Sequence, residues 1–170
     1  MRRIILSLAI ASGLAPSALA EHRIPLERDG NGAFSVLASV GEGRPTEFLV
    51  DTGSSFVVLS PSTFRAAERY GELKTVREIH GAMANGKVVR ATLYSIPSLT
   101  LGNACQLKDV EAVVLPGATK DIIGLSALMQ LGSFAMRFDP PALSFSQCQT
   151  AEQPLPAGET PVSIAHAVPP

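Results

Sequence analysis

Short apolar runs separated by turn residues fill the middle of the chain. Phe34–Val40 (FSVLASV) and Thr46–Val50 (TEFLV) are rich in β-branched and aromatic residues, and the GEGRP between them has turn composition. That pattern predicts a hairpin. Residues 56–59 (FVVL) read as a short buried strand. Ser60-Pro61 follows, a helix-capping residue and one suited to the first helical position. A helix is therefore expected over 62–70, with Phe64, Ala67 and Glu68 at helical spacing and Gly71 as its stop. Further strands are expected over 86–96, 98–101 and 109–115, with Asn85-Gly86 and Gly102-Asn103 supplying tight turns. A second short helix is expected over 126–131, ending at Gly132, and strands over 134–138 and 142–145 flank Asp139-Pro140-Pro141. No repeat of fixed period is present. The fold class is all-β, with one or two short helices and a small closed or sandwiched sheet.

The two ends depart from this pattern. Arg2-Arg3, an apolar run from Ile4 to Ile10, and Ala18-Leu19-Ala20 form the three parts of a secretory signal peptide, with cleavage expected after Ala20. The apolar run is shorter than the roughly 20 residues that span a bilayer, and Pro16 interrupts it. No stable membrane anchor is expected after cleavage, and the location is periplasmic or secreted. Residues 149–170 hold five of the 13 prolines and no aromatic residue. They lack the apolar density that offsets chain entropy and read as a flexible tail, with a semi-rigid spacer or docking segment as the alternative. The chain thus divides into a leader (1–20), one folded domain (21–148) and a Pro-rich tail (149–170). Residues 21–30 and the tail are both candidates for processing.

Charge and metal-ligand content remove two function classes. With 14 Lys+Arg against 15 Asp+Glu and no basic run, the chain has no electrostatic footprint for nucleic acid. Two cysteines and three scattered histidines (His22, His80, His166) do not make a four-ligand zinc set. No metal and no other cofactor is expected.

One segment carries chemistry. The strand ending Phe48-Leu49-Val50 runs into Asp51-Thr52-Gly53-Ser54-Ser55, and another apolar strand follows at once. An ionised carboxylate between two buried strands is costly unless it is hydrogen-bonded or paired. One reading is a turn in which Asp51 caps the backbone amide of Gly53, as aspartate does in many loops. The other is a catalytic carboxylate. The segment 34–145 resembles the bacterial secreted, retroviral-type (retropepsin-like) aspartic proteases. The resemblance rests on four elements in order: Asp51-Thr52-Gly53-Ser54; a flap-like stretch at residues 82–87 with the strand to Ile96; Ile122-Ile123-Gly124 with Leu125-Ser126-Ala127-Leu128 behind the loop; and the closing strands at 134–138 and 143–145.

The resemblance implies a small closed β-barrel of the retropepsin type and hydrolysis of peptide or protein substrates. It implies Asp51 as the catalytic carboxylate, with Thr52 linking two loops across a two-fold axis, Gly53 admitting the close backbone approach, and Ser54 bonding the outer carboxylate oxygen. Ala84, Asn85 and Gly86 would form the flap tip over the substrate, and Ile122, Ile123 and Gly124 the support behind the site. The tip has no tyrosine; Tyr94 lies further along the strand. Of the five aspartates, 29, 51, 109, 121 and 139, only Asp51 is followed by Thr-Gly or Ser-Gly. One chain therefore supplies half of a two-carboxylate site, and a homodimer is expected to supply the other half. Asp121 reads as a surface charge at a strand end. Cys105 and Cys148 are an even pair, for which an oxidising compartment favours a disulfide and the alternative is two buried thiols. Beside the endopeptidase stand a non-catalytic peptide-binding or interaction module of the same fold, and a plain β-barrel with an Asp-capped turn.

Overall fold

The computed structural model describes residues 22–71, 73–83, 86–102 and 105–150. The expected leader and residues 151–170 lie outside these, as do Ala84 and Asn85 of the expected flap tip. The chain opens with two short strands, β1 (His22–Pro25) and β2 (Glu27–Arg28). Strands β3 (Phe34–Val40) and β4 (Thr46–Val50) then form the expected hairpin, with Ser35 opposite Leu49 and Ala38 opposite Thr46. Buried β5 (Val57–Leu59) feeds helix α1 (Pro61–Arg69). Ser60 stays extended so that its Oγ accepts from the Thr63 amide at 3.3 Å. Pro61 lacks the N–H that would otherwise go unpaired there. Gly71, at φ +67°, takes the chain out of the helix.

Strands β6 (Lys74–Ala82) and β7 (Val88–Leu101) make a long hairpin, and β8 (Cys105–Val114) returns antiparallel to β7. After β9 (Asp121–Ile123) comes α2 (Leu125–Leu128), which tightens into a 3-10 turn over Met129–Leu131. The second hairpin is β10 (Phe134–Phe138) with β11 (Pro141–Phe145), and β12 (Gln149–Thr150) ends the described chain.

The main sheet closes on itself. In the order β8, β5, β9, β4, β3, β7, each strand pairs with the next, and β7 pairs back onto β8. This six-stranded ring is the small closed β-barrel that was expected, and closure leaves the ring without an edge. A separate three-stranded sheet, β1-β11-β10, lies outside the ring. Its Leu143 and Phe145 join the core that also holds Val36, Phe48, Leu59, Ile96, Leu99 and Leu101, all at most 2% exposed. Each such side chain contributes about 1.5–3 kcal/mol by leaving water.

Several expectations are corrected here. Residues 74–82 were read as no element, yet they form β6. Of its nine residues seven are exposed, so it lacks the apolar alternation by which a half-buried strand is recognised. The two strands expected over 86–96 and 98–101 are one, and Pro97 lies within it. Pro97 falls where the neighbour of β7 changes from β6, last paired at Ser95, to β3, first paired at Leu99. A missing N–H costs little at such a junction. Residues 21–30, a candidate for processing, include Ile24 and Leu26, which are core residues on and beside β1. Gln149 and Thr150, expected as the start of the tail, pair with Gln106 and Cys105 of β8. Cys105 and Cys148 form a disulfide, with Cα atoms 5.4 Å apart, that ties this terminal strand to the barrel.

Candidate active site

The site begins where β4 and β5 separate. Between them the barrel inserts β9, parallel to β4 (Val50 beside Ile123) and antiparallel to β5 through Val58 and Ile122. The chain leaving β4 must cross over β9 to reach β5, and residues 51–56 are that crossing. The Asp51 amide donates to the Ile123 carbonyl at 3.1 Å, which continues the β4–β9 ladder one residue into the loop. The Gly53 amide donates to Asp51 Oδ1 at 2.8 Å, and the Ser54 amide to the Asp51 carbonyl at 3.3 Å. The turn-capping geometry is therefore present, and it also fixes the carboxylate. Asp51 is half-buried while Thr52 and Gly53 are exposed, so the carboxylate stands at a surface. A Cβ on Gly53 would lie 3.1 Å from Asp51 Oδ1, which accounts for glycine at this position.

The expected support elements meet the loop from behind. The Leu125 amide donates to the Ser54 carbonyl at 2.8 Å and the Ser126 amide to that of Ser55 at 3.0 Å. Gly124 is where β9 turns into α2, and a Cβ there would run into the backbone carbonyls of Phe56 and Ser54. Its glycine is required by close approach, with φ at an ordinary −100°. Ile123 is fully buried in the core and Ile122 packs at the floor of the cleft described below. Ser126 is expected from the sequence within the element behind the loop, without its hydrogen-bond partners. Its Oγ accepts from the Val57 amide at 3.0 Å and donates to the Glu111 carbonyl at 2.7 Å, pinning the start of β5 to β8. The Ser54 hydroxyl does not bond the carboxylate in this chain; it donates to the Phe56 carbonyl at 2.7 Å.

Asp121 is not a surface charge. It is 5% exposed. Its Oδ1 accepts from the Ser60 amide at 2.6 Å, and its Oδ2 from the hydroxyls of Thr63 at 2.6 Å and Thr46 at 3.4 Å. The carboxylate thus faces the N-terminus of α1, where the orphan amides and the helix dipole favour a negative group. It ties β9, β4 and α1 together at the end of β9 opposite the one that meets the Asp51 loop. Nothing in a single strand-end aspartate signals partners 58 and 75 residues distant in sequence.

Above the loop stands the β6–β7 hairpin, in the place expected for a flap. At its tip the Met83 amide donates to the Lys87 carbonyl and the Gly86 amide to the Met83 carbonyl, both at 2.8 Å, with Gly86 at φ +79°. A left-handed backbone at a hairpin tip is one that glycine adopts without steric cost. Between hairpin and loop lies a cleft of about 530 Å³. Ile79, Gly81, Val89 and Ala91 border it from the hairpin, and Phe56, Val58, Val113, Leu115 and Ile122 from the barrel. Asp51 lies at its rim. A second hollow of about 390 Å³ shares Val58, Met83, Leu115 and Ile122 with it, so the cleft continues under the tip toward residues 116–120. Tyr94 is turned away onto α1, its ring 5.1 Å from that of Phe64.

An apolar cleft beneath a hairpin, with one carboxylate at its rim, is the arrangement to compare with known proteins. A family profile described as aspartyl protease matches residues 36–132, more than half of the chain. The chain belongs to the aspartyl protease family. The matched span runs from β3 to the end of the 3-10 turn and contains Asp51, the hairpin and Gly124. No curated protein matches the chain. Among solved structures, a retropepsin-like aspartic protease from Rickettsia conorii is similar, with a TM-score of 0.53 and 24% identity over 74% of this chain and 92% of that one. That likeness establishes a shared fold.

Proposed function

We propose that the protein is an aspartic endopeptidase whose active site forms between two copies of the chain, each contributing Asp51. The observation that carries this reading is the Asp51 loop itself. It is anchored through β9 and α2, its carboxylate orientation is set by the Gly53 amide, and it opens at the rim of an apolar cleft that one carboxylate serves.

Hydrolysis of an amide by water, without a covalent intermediate, needs a proton taken from the water as it attacks and a proton given to the carbonyl oxygen. Two carboxyl groups about 3 Å apart share one proton because both cannot ionise there, which is the device general to aspartic proteases. The ionised Asp51 takes the proton of the attacking water, and its protonated mate donates to the substrate carbonyl. The gem-diol intermediate then collapses: the C–N bond breaks as Asp51 passes the proton it took from water to the leaving nitrogen, and a diol hydroxyl returns its proton to the mate, leaving a carboxylic acid, a free amine and the dyad with its one shared proton. To Thr52, exposed in the loop, we assign the contact with its symmetry mate across the two-fold. The cleft favours apolar side chains on either side of the scissile bond, with the peptide extended against the hairpin. Export to the periplasm or beyond accords with the leader composition and with the Cys105–Cys148 bridge.

Peptide cleavage measured between about pH 3 and pH 7 tests the reading. The wild type is expected to cleave, and Asp51→Asn to lose about 1,000-fold or more in kcat/KM with an unchanged melting temperature. Activity that survives Asp51→Asn would sink the mechanism. A folded wild type that binds peptides without cleaving them would make the chain a binding module.

A further inference from the structure

We propose that Gly81 sets the size of the side chain that the cleft accepts, by leaving open a subsite for one large apolar side chain of the substrate within two residues of the scissile bond. The inference rests on the endopeptidase reading above and names the residue that selects among its peptides.

Among the described residues, Gly81 is the one glycine inside a strand. Glycine weakens a strand, and within one it marks a bulge, a close approach by another stretch of backbone, or a place where a ligand comes near. The first two do not apply. Gly81 stands opposite Val89 in an unbroken register, and the one irregularity of the β6–β7 pairing lies between Thr75 and Arg77. A Cβ on Gly81 would meet nothing within 4 Å beyond its chain neighbours, and its φ lies outside the left-handed region. Gly53 and Gly124 differ in this respect, since neighbouring atoms crowd the place of their Cβ. The fold itself has no need of glycine at position 81, which leaves the ligand.

The open space belongs to the cleft. Gly81 lies two residues from Ile79, so the two share a face of β6, and Val89 and Ala91 stand opposite them on β7. Ile79 and Ala91 pack against the cluster of Val58, Leu93 and Val113, so this face looks onto the barrel. Gly81 is the gap in it, bordering the same cleft as Val113, Leu115 and Ile122. Met83, two residues further along β6, borders the hollow that continues the cleft under the tip. A peptide backbone pressed into the gap would leave its amide and carbonyl groups among carbon atoms without hydrogen bonds, which is costly. A large apolar side chain fills the gap and gains by leaving water. With about 530 Å³ in the cleft and about 390 Å³ in the adjoining hollow, there is room for an aromatic ring or for a leucine or methionine side chain.

Filling the gap tests this. Gly81→Val puts three carbons into it at a strand position that valine suits. The wild type digests a mixed peptide library, and the cleavage sites are read by mass spectrometry. One position within two residues of the cleaved bond is expected to favour Phe, Tyr, Leu and Met. In Gly81→Val that position is expected to shift to Ala and Ser, while the other positions keep their preferences. For two peptides that differ only as Phe against Ala at that position, the ratio of kcat/KM values is expected to fall by about tenfold or more. Gly81→Ala moves the ratio the same way by a smaller factor, and Glu78→Val, on the opposite face of β6, leaves it unchanged. If Gly81→Val slows the cleavage of every peptide alike, or changes nothing, the subsite is refuted and the protease reading stands. If the wild type cleaves nothing, retention of the library on the immobilised protein becomes the readout. Retention of Phe- and Leu-containing peptides that is lost in Gly81→Val keeps the subsite while the protease reading falls. Retention that Gly81→Val does not alter, or no retention at all, overturns both.

Discussion

Gly124 and Gly53 show what single residues do in this site. Neither adopts a left-handed backbone. Each is glycine because a side-chain carbon would occupy space taken by Phe56 and Ser54 carbonyls in one case and crowd the Asp51 carboxylate in the other. Gly124→Ala has only backbone to push against, so a destabilisation of about 3 kcal/mol or more is expected, read as the shift in a urea midpoint; a change below about 1 kcal/mol would contradict the packing described. Asp29 gives a pH prediction. Its Oδ1 accepts from the Asn31 and Ala33 amides at 2.9 Å each, and these bonds, the one to Ala33 foremost, hold its pKa below the ordinary 3.8. A carboxylate whose folded pKa is depressed stabilises the fold above the unfolded value and loses that contribution as pH falls through the folded one. The turn between β2 and β3 should therefore keep its Asn31 and Ala33 amides protected down to pH 3.8 and lose that protection only below it, which an NMR pH titration would follow. Protection lost above pH 3.8 would contradict the assignment.

At the level of elements, the crossing of β4 over β9 to β5 is stabilised from two sides. Gly124–Ser126 holds the Asp51 loop, and Asp121 holds the start of α1. Asp121→Ala leaves the buried Ser60 amide and Thr63 hydroxyl without their acceptor, at an expected cost of about 2–3 kcal/mol; thermal denaturation would show it, and a melting temperature within a degree of wild type would count against the network. These elements were unequally legible in the sequence. The β3–β4 hairpin, α1 with its Ser60-Pro61 start, and the β10–β11 hairpin follow from local apolar spacing and turn chemistry. β6 does not, because it is the outer arm of a hairpin whose partner β7 supplies the buried residues, so its sequence carries no burial pattern. Asp51 and Gly124 were legible through the order of motifs. The partners of Asp121 and Ser126 were not, since they come from elements brought alongside only by closure of the barrel.

On the scale of the whole molecule, Asp51 is the one carboxylate that lines the cleft among the described residues, and the proposed amide hydrolysis calls for two. The central claim is that function belongs to a pair of chains. It is tested most directly by mixing wild type with Asp51→Asn under conditions where subunits exchange, the exchange itself confirmed by mass-tagged heterodimers. If each site needs one Asp51 from each chain, peptidase activity follows the square of the wild-type fraction, falling to about one quarter of the pure wild-type rate at an equal mixture. Activity that falls in simple proportion to the wild-type fraction, with heterodimers demonstrably present, would show that one chain suffices and would contradict the account.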